Sequence, residues 1–151
     1  MGLLIEANPN YQCELLKRNR DALVLSACLS TKPHPMSVKM RPAGVLGGIV
    51  ENFHKTHLSF IGEFKEPDVQ VNCFPFNSII GAVGRTHIDY FSLDVEGPEL
   101  EIIRTIDFER LYIDVMTVEY RICGGVAIGI DRLATLEKLN ALRQFFNGTK
   151  L

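Results

Sequence analysis

The chain has 151 residues, 46% hydrophobic and 23% charged, with a net charge of −2 and a pI near 6.1, a composition suited to one soluble globular domain with an ordinary core. Its Lys and Arg are scattered, so no basic stripe exists to neutralise a phosphate backbone, which argues against nucleic acid as a partner. The longest apolar stretches are too short to span a bilayer and the N-terminus lacks the sections of a signal peptide, so no membrane insertion by the chain itself is expected.

In chain order, Leu3, Leu4 and Ile5 predict a short strand ending at Glu6. Asn8 can cap and Pro9 can open a helix reaching about Arg20. Leu23 to Ala27 predicts a second strand, and Cys28-Leu29-Ser30 leads into a polar loop with Pro33 and Pro35. This is a parallel strand-helix-strand crossover. Residues 37–64 lose periodicity around Pro42, Gly44, Gly47 and Gly48 and read as a hairpin or irregular insertion covering one sheet edge. Val69 to Phe74 alternates apolar and polar residues as a strand does, and a short helix from Ile79 to Val83 ends at Gly84.

The most informative stretch is I-D-Y-F-S-L-D-V-E-G-P-E-L-E, Ile88 to Glu101. Its near-continuous apolar run predicts a parallel strand covered on both faces. Asp94 and Glu96 stand at its carboxyl end, where open α/β sheets bind ligands. Gly97 permits a tight turn, Pro98 suits a first helical position, and Glu99 and Glu101 favour the positive end of the helix dipole. That helix is expected to about Ile106, followed by a strand from Leu111 to Glu119. Leu133, Leu136, Leu139, Leu142 and Phe146 recur at helical spacing and predict an amphipathic C-terminal helix packed on the sheet.

Cys13, Cys28, Cys73 and Cys123 stand far apart without a C-x-x-C pair, which suggests neither a zinc site nor a redox motif and reads as small buried hydrophobes. His54 and His57 lack acidic or Cys partners, and His34 and His87 are isolated, so all four read as structural or solvent-exposed and no metal is expected. Gly44 to Gly48 resembles a phosphate loop in composition but follows Arg41-Pro42 and lacks a Lys-Ser/Thr ending, so it reads as a turn. Asn147-Gly148-Thr149 is a glycosylation sequon, relevant only in the secretory pathway.

Three segments together, L-L-I-E-A-N-P at 3–9, C-F-P-F-N-S-I-I at 73–80 and the 88–101 stretch, resemble the FkbM-type methyltransferase domain. The wording is closest to its animal Star-like branch and continues through Asp114 to Arg121. The resemblance implies one domain over residues 1–151 with a Rossmann-like α/β fold: a mostly parallel sheet, helices on both faces, and S-adenosylmethionine as cofactor. In active relatives the methyl group goes to a hydroxyl, so the implied partner is a small-molecule or sugar hydroxyl acceptor.

On that reading Glu6 would accept hydrogen bonds from the ribose diol, with Asn8 beside it, the alternative for Glu6 being a solvated helix-start carboxylate. Ala27, Cys28 and Leu29 would lie near adenine. Asp94 and Glu96 would hold the acceptor hydroxyl or take its proton, unless they only cap and orient the next helix, and Glu119 is a third candidate facing the same crevice.

The family's Gly-rich turn and the strand before it are missing from residues 1–151, whose first strand corresponds to the family's second; both would lie upstream of Met1. In a 3-2-1-4-5 sheet the missing strand is central. Its neighbours would then either pair directly or each present an unpaired edge. The Star-like wording also implies a second function class, a non-catalytic domain acting with a secretory-pathway protein partner in trafficking of a membrane-bound growth-factor precursor between endoplasmic reticulum, Golgi and endosomes.

Overall fold

The first crossover forms as its residues dictate. In this computed structural model, which describes residues 1–53, 66–124 and 129–149, β1 (Gly2–Ile5) leads into α1 (Pro9–Lys17), and β2 (Ala22–Leu25) returns parallel to β1 with Leu3 opposite Leu23. The buried Asn8 side chain accepts from the Asn10 N–H at 3.0 Å, and Pro9 begins the helix where its missing N–H is no loss.

At Ser26 the chain leaves this sheet. The Ala27 N–H turns back to the Leu25 carbonyl, and Cys28 and Leu29, expected to lead into a loop, form β3 of a second sheet. Its order is β3, β6 (Val69–Phe74), β4 (Met36–Arg41), β5 (Gly48–Ile49). Here the expectation of a mostly parallel sheet is corrected, because β4 runs antiparallel to both β5 and β6. The short connection from Ser30 to Pro35 allows only a reversal, since a parallel return needs a crossover of about a dozen residues. Within β6, Gln70 and Asn72 are exposed between the more buried Val69, Val71 and Cys73, so the predicted alternation is present.

The third sheet pairs β7 (His87–Leu93) in parallel with β8 (Tyr112–Val118), with Ile88 opposite Ile113 and Leu93 opposite Val118. Before it, α2 (Phe76–Val83) ends at Gly84, whose φ of 71° is the left-handed value that glycine adopts without strain. Between the two strands lies α3 (Glu99–Ile103), shorter than expected, and after them come a short β9 (Cys123–Gly124), β10 (Gly129–Ile130) and α4 (Arg132–Gly148). The main core gathers Phe76, Ile80, Leu93, Ile102, Ile103 and Leu142.

Two further expectations are corrected. The β7–β8 pair is not covered on both faces, since Tyr90, Tyr112 and Val115 stand 58%, 65% and 52% exposed. The leucine stripe of α4 does not face the sheet throughout, because Leu133 and Leu136 are exposed. Polar anchors set the rotation of α4 instead. Asp131 caps through the Ala134 N–H, the Thr135 hydroxyl accepts from the Ile122 N–H at 3.0 Å, and Lys138 points inward to Glu99.

Among the described residues β1 pairs only with β2 and β7 only with β8. All of Gly2 to Ile5 and all of His87 to Leu93 line one cavity of about 920 Å³. Successive side chains of a strand point to opposite faces, so a wall that includes every residue is a strand edge. The two strands therefore do not close up on each other; an open slot lies between their edges.

Candidate functional site

The slot continues to the ends of the strands. Glu6, Asn8, Ala27, Cys28, Asp94 and Glu96 all line the 920 Å³ cavity, joined by Gly47, Gly48 and Ile49 from the hairpin after β4. Three strand ends and one hairpin thus supply a single wall. Among the candidate residues, Glu119 is absent from this lining, but it follows β8 directly and its N–H donates to the Leu93 carbonyl at 2.9 Å. Carboxylate atoms of Asp94, Glu96 and Glu119 lie within 4.8 Å of one another.

Such crowding changes the chemistry of the carboxyls. Burial, then the charges of Asp94 and Glu99, push Glu96 up to about 7, with Lys138 opposing. Glu119 rises to about 8 by burial and by the charges of Glu96, Asp94 and Glu99, again against Lys138. The cluster therefore holds protons at neutral pH, and Glu96 is poised to exchange one there. By spacing alone the same three carboxylates could hold a divalent cation, although acidic groups meet this way without one.

The loop carrying Asp94 and Glu96 is a strained turn. Glu96 has φ 59° and Gly97 φ 142°, and a left-handed backbone at a residue with a Cβ costs about 1–2 kcal/mol. Glu99 holds it. Its Oε1 accepts from the Val95 and Gly97 N–H groups, each at 3.2 Å, and its side chain is fully buried. Sequence reasoning placed Glu99 at the positive end of the helix dipole and gave it no further role. The missed signal is that a Glu just after a Gly-Pro turn can reach backward to the preceding amides, the logic of a capping box.

The hairpin contributes by close approach, which the sequence reading did not anticipate. A Cβ on Gly48 would lie 2.9 Å from the Phe53 ring and 3.4 Å from the Glu96 Cβ, and one on Gly97 would lie 2.9 Å from the Asn52 carbonyl oxygen. Glycine is thus required where hairpin and acidic loop meet. The segment from Gly44 to Gly48, read as a turn, contains a 3₁₀ turn, Gly44–Leu46.

At the other strand end, the Glu6 Oε1 accepts the Asn8 N–H at 2.6 Å. One carboxylate oxygen therefore performs the helix-start role, and the other accepts no hydrogen bond from a described residue. The apolar Ile5, Ala27 and Leu29 stand in the cavity wall with this carboxylate.

Cys28 is not the isolated hydrophobe the sequence suggested. It is bonded to Cys73, its neighbour across the β3–β6 register, while Cys13 is free and exposed. Parallel pairing sets two residues 45 positions apart side by side, which linear spacing does not reveal. His87 is likewise not isolated, since its Nε2 lies 3.1 Å from Asp114 on the neighbouring strand, both exposed. His34 is exposed, and the readings of His54 and His57 lie outside the described residues.

This is a mixed α/β domain with carboxylates gathered at parallel strand ends beside a cleft, the place where open α/β sheets in general hold ligands. The chain is a member of the FkbM methyltransferase family: the family model described as the methyltransferase FkbM domain matches residues 1–147. Comparison with curated proteins found no match, and comparison with solved structures found none. The family carries methyltransferase activity generally, and with it the need for a methyl donor.

Proposed function

We propose that the chain is an S-adenosylmethionine-dependent O-methyltransferase domain, or a fragment of one, acting on a hydroxyl acceptor. One observation carries the reading: Glu6, Asn8, Ala27, Cys28, Asp94 and Glu96 line a single cavity. The cofactor supplies an electrophilic methyl group on a sulfonium. Glu6 accepts hydrogen bonds from the ribose diol through the oxygen that Asn8 does not use, and Ala27 and Leu29 offer apolar surface to the base. Glu96, raised to about 7, takes the proton from the acceptor hydroxyl. Asp94, exposed at the strand tip, orients that hydroxyl, and Glu119, raised to about 8, stays protonated beside Glu96.

Calorimetric titration of the chain with S-adenosylmethionine tests this. Saturable binding that weakens about tenfold or more in Glu6→Ala is expected, given about 1.5–3 kcal/mol for hydrogen bonds to a charged group. Absence of binding to the native chain would remove the reading.

A second reading rests on the Cys28–Cys73 bond. Disulfides persist in oxidising compartments, and Asn147 is an exposed sequon residue. Both favour the secretory lumen, where a Star-like, non-catalytic domain would bind a protein partner in trafficking of a growth-factor precursor. Expression with a lumenal signal, followed by glycosidase treatment, would show a mass loss at Asn147; an unmodified, fully reduced chain would remove this reading.

A further inference from the structure

The carboxylate of Glu99 is divided between two elements. Its Oε1 takes the Val95 and Gly97 amides of the acidic loop, and its Oε2 meets the Lys138 ammonium of α4 in an ion pair. The pair is almost wholly enclosed, with side-chain exposures of 0% and 8%. Among the described residues neither Glu99 Oε2 nor Lys138 Nζ has a further hydrogen-bond partner. The loop thus hangs on α4 through one carboxylate.

Packing alone does not account for this pair. Replacing a buried ion pair with apolar residues of similar volume is often neutral or stabilising. On α4 such residues are at hand, yet Leu133 and Leu136 face solvent while Lys138 faces inward. What the pair provides is position: it draws two amides of the strained turn toward one point and so fixes where Glu96, with its φ of 59°, presents its side chain. A second cavity of about 460 Å³, lined by Glu96, Gly97, Arg121 and Lys138, lies against the same loop, so a shift of α4 would alter both walls of Glu96 together.

We propose that Glu99 and Lys138 are positioning residues, holding the 94–97 turn so that Glu96 and Asp94 face the cavity, and that α4 sets the geometry of the acidic site through them. The catalytic sense of this rests on the methyltransferase reading; the mechanical coupling does not.

The test separates the two. Amide hydrogen exchange and side-chain carboxyl NMR titration are followed in the native chain, Lys138→Met, Lys138→Arg and the apolar double variant Glu99→Leu/Lys138→Leu. Lys138→Met should speed exchange at Val95 and Gly97 roughly tenfold, the loss expected for hydrogen bonds to a charged acceptor, with β8 amides unchanged. It should also move the Glu96 titration, and Lys138→Arg should restore both. The double variant should keep or raise the unfolding midpoint while losing Val95 and Gly97 protection. Unchanged protection at these amides together with an unchanged Glu96 titration in Lys138→Met would overturn the proposal. So would a uniform rise in exchange over α4, β7 and β8, which would mark a purely structural pair. If the double variant does not fold, the two Lys138 variants decide. Failure of the native chain to bind S-adenosylmethionine would remove the methyltransferase reading and leave these readouts intact.

Discussion

Cys28 and Cys73 are covalently joined at the point where β3, reached directly from the first sheet, enters the second. The bond closes a loop that contains all of β4 and β5 and most of β6.

Closing a loop of that length restricts the unfolded chain by roughly 4 kcal/mol on a chain-entropy model, with 2–4 the usual measured range. Cys28→Ser/Cys73→Ser, or reduction of the native chain, should therefore lower stability by about 2–4 kcal/mol in urea unfolding. An unfolding midpoint indifferent to reductant would show that the bond is not formed in the folded protein.

The raised carboxyls make a prediction about stability and pH. Glu96 and Glu119, with native values of about 7 and 8 against the ordinary 4.5, bind more protons folded than unfolded. Stability then falls wherever the native state holds the excess protons. It should be highest below about pH 4.5 as far as these two groups decide it, and decline as pH rises toward 8. Urea midpoints across that window should fall with pH in the native chain and fall less steeply in Glu119→Gln, where Glu96 alone still contributes. A native profile without this slope would contradict the burial of both groups.

Activity should carry the opposite sign. A base that must be deprotonated gives a rate that climbs through pH 7 and levels above it. Glu96→Gln should abolish that limb and cost roughly 10²–10⁴ in rate, the usual worth of general base catalysis. If Glu96→Gln retained both rate and profile, the proton would have to leave by another route.

Gly48 and Gly97 are the close contacts between hairpin and acidic loop. Gly97→Ala places a Cβ against the Asn52 carbonyl at a φ of 142°, and should destabilise by about 1–3 kcal/mol. Gly48→Ala, which presses on the Phe53 ring beside Glu96, should shift the Glu96 titration as well. Denaturation curves and carboxyl NMR check both, and a neutral Gly97→Ala would refute the close approach.

The edges of β1 and β7 that line the slot lack strand partners among the described residues. Alternate amides of these strands should exchange with solvent much faster than those facing β2 and β8. Uniform protection along both strands would mean that the slot is closed in solution.

Local pattern determined a good deal here. The crossover from Leu3 to Leu25, the alternation of Val69 to Phe74, the Gly84 helix stop and the carboxylates ending β7 and β8 all depend on a few neighbouring residues and are legible one segment at a time. The meeting of Asp94, Glu96 and Glu119 could be anticipated because parallel strands deliver their ends to one side. What tertiary structure alone decided is what depends on long-range pairing. The register of β3 against β6 made Cys28 and Cys73 partners. The buried charge of Lys138, needing Glu99, turned α4 away from the orientation its leucines predict. The pKa values of Glu96 and Glu119 follow from the same cause, since burial and neighbouring charge are properties of an enclosed volume and no local stretch of chain encodes them.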